Sequence, residues 1–159
     1  MKLKEANLPQ LPGPIARPDY HLAEVTTGIA HIGVGGFHRA HQAAYTDALM
    51  NTGEGLEWGI CGIGTRAEER SMRDALASQD YLYTLVELGD EPNLPVRVIG
   101  AINDMLLAEE SPQALIDKLA DPAIRIVSLT ITEGGYFLDS DGRFDPAHAS
   151  IAADGATPD

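Results

Sequence analysis

The stretch His31-Ile32-Gly33-Val34-Gly35-Gly36-Phe37-His38-Arg39-Ala40-His41 (HIGVGGFHRAH) carries the densest chemistry in the sequence. Gly33 and Gly35 form a GxG between a short apolar run and a stretch of small residues. At such a junction glycines permit a tight turn and let a pyrophosphate approach the backbone, while the helix that follows offers free N–H groups. A dinucleotide fingerprint asks for a small residue at position 38, where this chain has histidine. If the loop holds a nucleotide, His38 is expected to point away from the helix–strand crossing, with Ala40 supplying the close contact. His38 and His41 also share an HxxH spacing, about one turn apart. Zinc wants three or four protein ligands. No cysteine pair or HExxH accompanies the two histidines, Tyr45 stands one turn beyond His41, and Asp47 falls on another face. The reading is phosphate rather than metal, with His41 a structural histidine.

Two further places could serve a nucleotide. A ribose-binding carboxylate usually follows the second strand, and here the chain runs Gly64-Thr65-Arg66-Ala67-Glu68-Glu69-Arg70. Glu68 or Glu69 could accept hydrogen bonds from ribose hydroxyls, while Arg66 and Arg70 could tolerate a 2′-phosphate, which leaves NADP open beside NAD. The same charges also suit the first turn of a solvated helix, where glutamates complement the dipole; spacing alone does not decide. The third place is Thr130-Ile131-Thr132-Glu133-Gly134-Gly135-Tyr136, just beyond a strong strand candidate. Open α/β sheets bind ligands at such carboxyl ends, and Glu133 beside paired glycines could line a cleft.

The elements that must position these residues follow from periodicity. Residues 1–27 hold four prolines and little periodicity, and read as an arm over the domain. Residues 28–32 form a short apolar strand candidate, and Ala40, Ala43, Ala44 and Ala48 mark the inner face of a helix that fades near Asn51-Thr52-Gly53. Trp58–Ile63 reads as a second strand, Ala67–Ala77 as a charged helix with Met72, Leu76 and Ala77 inside, and Tyr81–Val86 as a third strand. A turn at Gly89–Asn93 before Val96–Ile99 predicts an antiparallel hairpin laid onto the sheet. Ser111-Pro112 opens a helix with an N-cap serine and proline at its first position, with Leu115, Ile116 and Leu119 facing inward. Ile124–Ile131 is the clearest strand. The alternation predicts an α/β fold: a doubly wound, mainly parallel sheet with an inserted hairpin. From Ala147 onward alanine, aspartate, glycine and proline predominate without apolar periodicity, and 147–159 is expected to be a flexible tail.

At 159 residues the chain suits one domain with a real core. A net charge of −13 repels nucleic acid and anionic membranes, and no run approaches the ~18 apolar residues of a membrane span. The first twenty residues lack the apolar stretch of a signal peptide. Cys61 stands alone and within an apolar run, which points to a buried thiol in a reducing, cytoplasmic setting.

Taken together, GIAHIGVGGFHRAHQAAYTDAL, WGICGIGTR, QDYLYTLVELGD and IRIVSLTITEGGY resemble the N-terminal part of the mannitol dehydrogenase family of polyol-specific long-chain dehydrogenases. The resemblance covers about residues 1–145. It implies NAD-dependent, metal-free, reversible oxidation of D-mannitol to D-fructose, with a hexuronate or another polyol as the alternative substrate. It implies a Rossmann-like domain over 28–146, followed by a mostly helical substrate domain that this chain lacks. The family writes its phosphate loop GFHRAHQ, so the resemblance places cofactor contacts at Ile32, Gly33, Gly35, Gly36, Phe37 and His38. It places the residue governing NAD preference at Glu69, a position where the family carries aspartate, with Arg66, Glu68 and Glu133 as further cofactor-side candidates. The general-base lysine, with its asparagine and histidine partners, belongs to the substrate domain, so no catalytic residue is assigned here. A fragment inactive alone is therefore expected, and a free-standing nucleotide-binding module is the reading from another class.

Overall fold

A strand of mostly small and branched residues, β1 (Thr27–Ile32), is one of the two inner strands of the sheet in the computed structural model, which describes residues 2–88 and 95–156. It leads through the glycine loop into two short helices, α1 (Gly36–Ala40) and α2 (Gln42–Met50). Then follow β2 (Gly59–Gly64), α3 (Arg70–Ala77), β3 (Tyr83–Val86), β4 (Val96–Ile99), β5 (Ile102–Leu107), α4 (Pro112–Ala120) and β6 (Ile126–Leu129). The larger sheet has the order β5-β2-β1-β6, with every neighbouring pair parallel. That order places the first strand between the second and the last, as in one half of a doubly wound sheet. The chain divides into two compact units, Met1–Leu129 and Thr130–Asp159.

Several elements depart from the sequence reading, each for a physical reason. The helix expected after the glycine loop is broken at His41 (φ −117°, ψ −82°). There the Arg39 carbonyl accepts a 2.6 Å hydrogen bond from the Tyr83 hydroxyl, a side chain inserting beside the ladder. Its buried face is Ala43, Ala44, Asp47 and Met50, whereas Ala48 is exposed; a carboxylate occupies the place that alanine periodicity assigns to Ala48. The expected hairpin pairs antiparallel but forms a separate sheet, β3 with β4. Its turn, Gly89–Asn93, lies outside the described residues. The third strand of the parallel sheet is instead β5, which Asn103 and Asp104 hide from any apolar pattern. Asn103 finds partners at the sheet margin, accepting from Thr27 Oγ1 at 3.1 Å and donating to the Val25 carbonyl. In the second unit the stretch from Ala147 contains a helix, α5 (Ala149–Ala156), in keeping with the helix propensity of alanine.

The main core gathers Ile29, Ile60, Ala43, Ala44, Met50 and Met105 together with Tyr83 and Ile99 of the hairpin. A second cluster joins Leu8 of the N-terminal arm to Leu82 and Val98, and Ala16 pairs with Arg97 as an added bridge. Asp47 fastens these layers. Its buried carboxylate accepts from the Tyr20 hydroxyl (2.6 Å), the Gly100 amide (2.8 Å) and the Asn51 side chain (3.0 Å). Burial pushes this carboxyl above its ordinary range, and those three hydrogen bonds pull it back. Ser111 caps α4 by accepting from the Ala114 amide, while Ile126, Val127 and Leu129 of β6 remain exposed at an edge among the described residues.

Asp47→Ala strands the Gly100 amide and the Tyr20 hydroxyl, and is expected to cost roughly 3 kcal/mol in urea unfolding, against about 1 kcal/mol for Tyr20→Phe. Equal losses in the two variants would show that the carboxylate is not the hub.

Candidate dinucleotide site

Because β1, β2 and β6 run parallel, their carboxyl ends open on one edge. The Gly33 amide donates to the Ile63 carbonyl at 2.9 Å, so the glycine loop starts beside the end of β2. Gly33 has φ 92°, the left-handed region that favours glycine. Val34 turns inward and is buried. It can do so because a Cβ on Gly62 would stand 2.4 Å from its Cγ2. Gly62 therefore anchors the loop from the neighbouring strand.

Gly35 and Gly36 behave differently. Gly35 has an extended backbone (φ −79°, ψ −177°), and a Cβ at either position would meet nothing within 4 Å. Neither the fold nor its packing asks for glycine there. The missing side chains leave a bare, exposed backbone at the start of α1, where the first amides have no intrahelical acceptor. Phe37 is exposed with its ring against His41 (4.6 Å between centroids), and Ile32 is half-buried at the strand end.

The structure reverses the expected direction of His38. Its ring points inward, 1% exposed, and stacks on His31 of β1 with centroids 3.7 Å apart and planes within 10°. A flat imidazole thus provides the close helix–strand contact for which a small residue was expected, and Ala40 is not needed there. His38 Nδ1 lies 3.1 Å from Gln42 Oε1, Gln42 Nε2 donates to Ser128 Oγ (3.4 Å), and Ser128 Oγ lies 2.9 Å from His31 Nδ1. Burial, then the neighbouring His31, hold the His38 imidazole down to about 4. Burial likewise lowers His31, opposed by a hydrogen bond with the Gly33 backbone. His41 is exposed and His38 buried, so the HxxH pair does not converge on one point. Among the described residues no three His, Cys, Asp or Glu side chains are grouped to hold a metal. Cys61 is buried, with its thiol pushed up to about 12 by burial first.

At the end of β2, Glu69 folds back so that Oε2 accepts from the Thr65 (2.9 Å) and Arg66 (3.0 Å) amides. Gly64 makes room, since a Cβ there would be 3.1 Å from the Glu69 Cβ. Glu69 therefore shapes the turn, and Glu68 stands exposed beside Arg66 at 3.8 Å. Arg70 is drawn away by Glu109 and Glu110, which leaves Arg66 the freer of the two expected phosphate-tolerant arginines. Glu133 belongs to the second unit, exposed at the start of the turn Glu133–Gly135. Sequence reasoning missed His31, Gln42, Gly62 and Ser128. The one visible signal was a pair of polar residues, His31 and Ser128, on inward positions of otherwise apolar strands.

Comparison with known proteins adds to this geometry. The family model for the mannitol dehydrogenase Rossmann domain matches residues 27–155. The solved Pseudomonas fluorescens mannitol 2-dehydrogenase, a ternary complex with NAD and D-mannitol, superposes with a TM-score of 0.87 at 65% identity, covering 99% of this chain and 32% of that one. Mannitol 2-dehydrogenase of Cereibacter sphaeroides is 51% identical over 144 residues, covering 91% of this chain and 30% of the relative. A polyol:NADP oxidoreductase of Gluconobacter oxydans (strain 621H) is 41% identical over 155 residues, covering 96% of this chain and 32% of its own length. The chain spans about a third of the length of these relatives.

A histidine whose folded-state pKa lies near 4, below its ordinary 6.5, stabilises the fold fully above pH 6.5 and loses that contribution as pH falls toward 4. Urea unfolding at pH 7 and pH 4 should therefore differ by up to roughly 3 kcal/mol more in the parent chain than in His38→Phe. The same pH slope in both proteins would mean that His38 does not titrate as a buried neutral ring.

Proposed function

We propose, since the chain belongs to the mannitol dehydrogenase family, that it is the NAD-binding part of a mannitol 2-dehydrogenase-like oxidoreductase. The observation that carries this reading is the bare backbone at Gly35 and Gly36, where the protein itself has no use for glycine. That gap lies at the carboxyl edge of parallel strands, beside the start of a helix, where a pyrophosphate fits. NAD supplies a hydride acceptor for the oxidation of a secondary alcohol such as that of D-mannitol.

In this reading the residues present bind and orient. Gly33 sets the turn, its carbonyl accepting from the Gly35 amide, and the amides of Gly36 and Phe37 face the phosphates. His38 fixes the loop from beneath. Ile32 flanks the strand end. Glu68 and Glu69 form an acidic border toward the adenosine ribose, with Arg66 at their side. A 2′-phosphate would meet that border, and Arg70 is occupied by Glu109 and Glu110, so NAD is favoured over NADP. Glu133, in the second unit, is kept as a cofactor-side candidate. The general base is assigned to the substrate domain of the longer relatives, and the chain alone is expected to be inactive. The domain reading keeps 1–27 as an arm, 28–146 as the cofactor domain and 147–159 as a tail. A cytoplasmic location accords with the lone buried Cys61, and no helix among the described residues is long and apolar enough to cross a membrane. Action on another polyol is the second reading, favoured by the similarity to the polyol:NADP oxidoreductase of Gluconobacter oxydans.

Gly35→Val should leave thermal stability within a few degrees of the parent, since its Cβ meets nothing, while abolishing the NAD-induced shifts of the loop amides in NMR titration. Retained binding in that variant would remove the loop from the site. With D-mannitol and NAD the purified chain should produce no NADH, and measurable turnover would place the base within these residues.

A further inference from the structure

We infer that Gln42 and Ser128 are positioning residues for the dinucleotide site: they relay a one-way chain of hydrogen bonds, from His38 to His31, that holds the phosphate loop in shape. The inference rests on the cofactor reading for what the loop binds, and on the cluster geometry alone for the chain itself. Gln42 lies at the start of α2 and Ser128 on β6, both outside the glycine loop.

The direction of the chain follows from its end at His38. His38 Nε2 is buried without a hydrogen-bond partner among the described residues, which suits a bare lone pair. A neutral imidazole has one N–H, so His38 Nδ1 carries it and donates to Gln42 Oε1 at 3.1 Å. That fixes the amide so that Gln42 Nε2 donates to Ser128 Oγ at 3.4 Å. Ser128 then gives its own proton to His31 Nδ1 at 2.9 Å, in preference to Gln42 Oε1 at 3.5 Å.

Reversing every bond would put an N–H at His38 Nε2, a buried donor with no acceptor, at the cost of an unmade hydrogen bond. In the forward direction the two stacked rings, 3.7 Å apart, are both neutral. The chain thereby ties together four pieces of backbone around the glycine loop: α1 through His38, α2 through Gln42, β6 through Ser128 and β1 through His31.

Two measurements on the 159-residue chain test this. Two-bond ¹H–¹⁵N correlation spectra of ¹⁵N-histidine protein should show His38 protonated on Nδ1 and His31 on Nε2. The opposite tautomer at either ring would overturn the chain without bearing on NAD. NMR titration with NAD, read at the Gly35 and Gly36 amides, should show Ser128→Ala weakened about tenfold, the worth of one hydrogen bond. Ser128→Thr, which keeps the hydroxyl, should stay within about twofold of the parent. Gln42→Glu can accept from both neighbours but donate to neither, and should weaken binding while its thermal midpoint stays close to that of the parent. Equal affinity in Ser128→Ala and the parent, or equal loss in the alanine and threonine variants, would overturn the positioning role. Failure of the unsubstituted chain to bind NAD at all, with the tautomers as assigned, would overturn the cofactor reading and the role in binding while leaving the chain in place.

Discussion

Parallel pairing on both sides of β1 is the constraint from which the rest of the site follows. The register His31↔Gly62 on one side and His31↔Ser128 on the other brings three strand ends to one edge. The loop after β1 then has only one place to go. Its first amide is taken by Ile63, its second residue drops into the space that Gly62 leaves, and its next two glycines are presented bare. Were either neighbour antiparallel, the corresponding strand would end at the opposite edge and contribute nothing to this cradle. The energetic work is shared between ordinary ladder hydrogen bonds and one tight van der Waals fit, Val34 against Gly62.

Much of this was legible in the sequence because it rests on local rules. Glycines between an apolar run and a helical stretch announced the loop, alternation of strands and helices announced the parallel sheet, and Ser111-Pro112 announced a capped helix whose cap is seen. What escaped was set by tertiary partners. β5 carries Asn103 and Asp104 where an alternating pattern should be apolar, and Asn103 is satisfied by Thr27 and Val25, residues far along the chain. The helix break at His41 depends on the Tyr83 hydroxyl, which no local pattern reveals. His38 was legible only as an exception to the fingerprint. Its inward stack needs His31 beneath it, Gln42 at Nδ1 and Ser128 bridging the two, and those partners come from three different elements.

The acidic turn after β2 shows how two adjacent carboxylates can be put to different uses. Glu69 spends one oxygen on the amides of Thr65 and Arg66, so the turn is already shaped before anything approaches it. The close contact at Gly64 enforces that pose. Glu68 carries no such duty and stays at the surface. A pair of adjacent glutamates that looks redundant in the sequence is therefore divided by burial into one that builds and one that faces solvent.

Ser128 joins His31 across 97 residues of chain, whereas β1 meets β2 after the short helices α1 and α2. Closing so long a loop costs entropy that is recovered only when the strand has docked. The edge between β1 and β6 is therefore the last part of the sheet that connectivity favours, and the support beneath the glycine loop arrives with it. On the role proposed for Ser128, ligand occupancy and strand docking would be linked equilibria: a ligand on the loop would also hold β6 against the sheet, and the order of assembly would be written into the position of one serine.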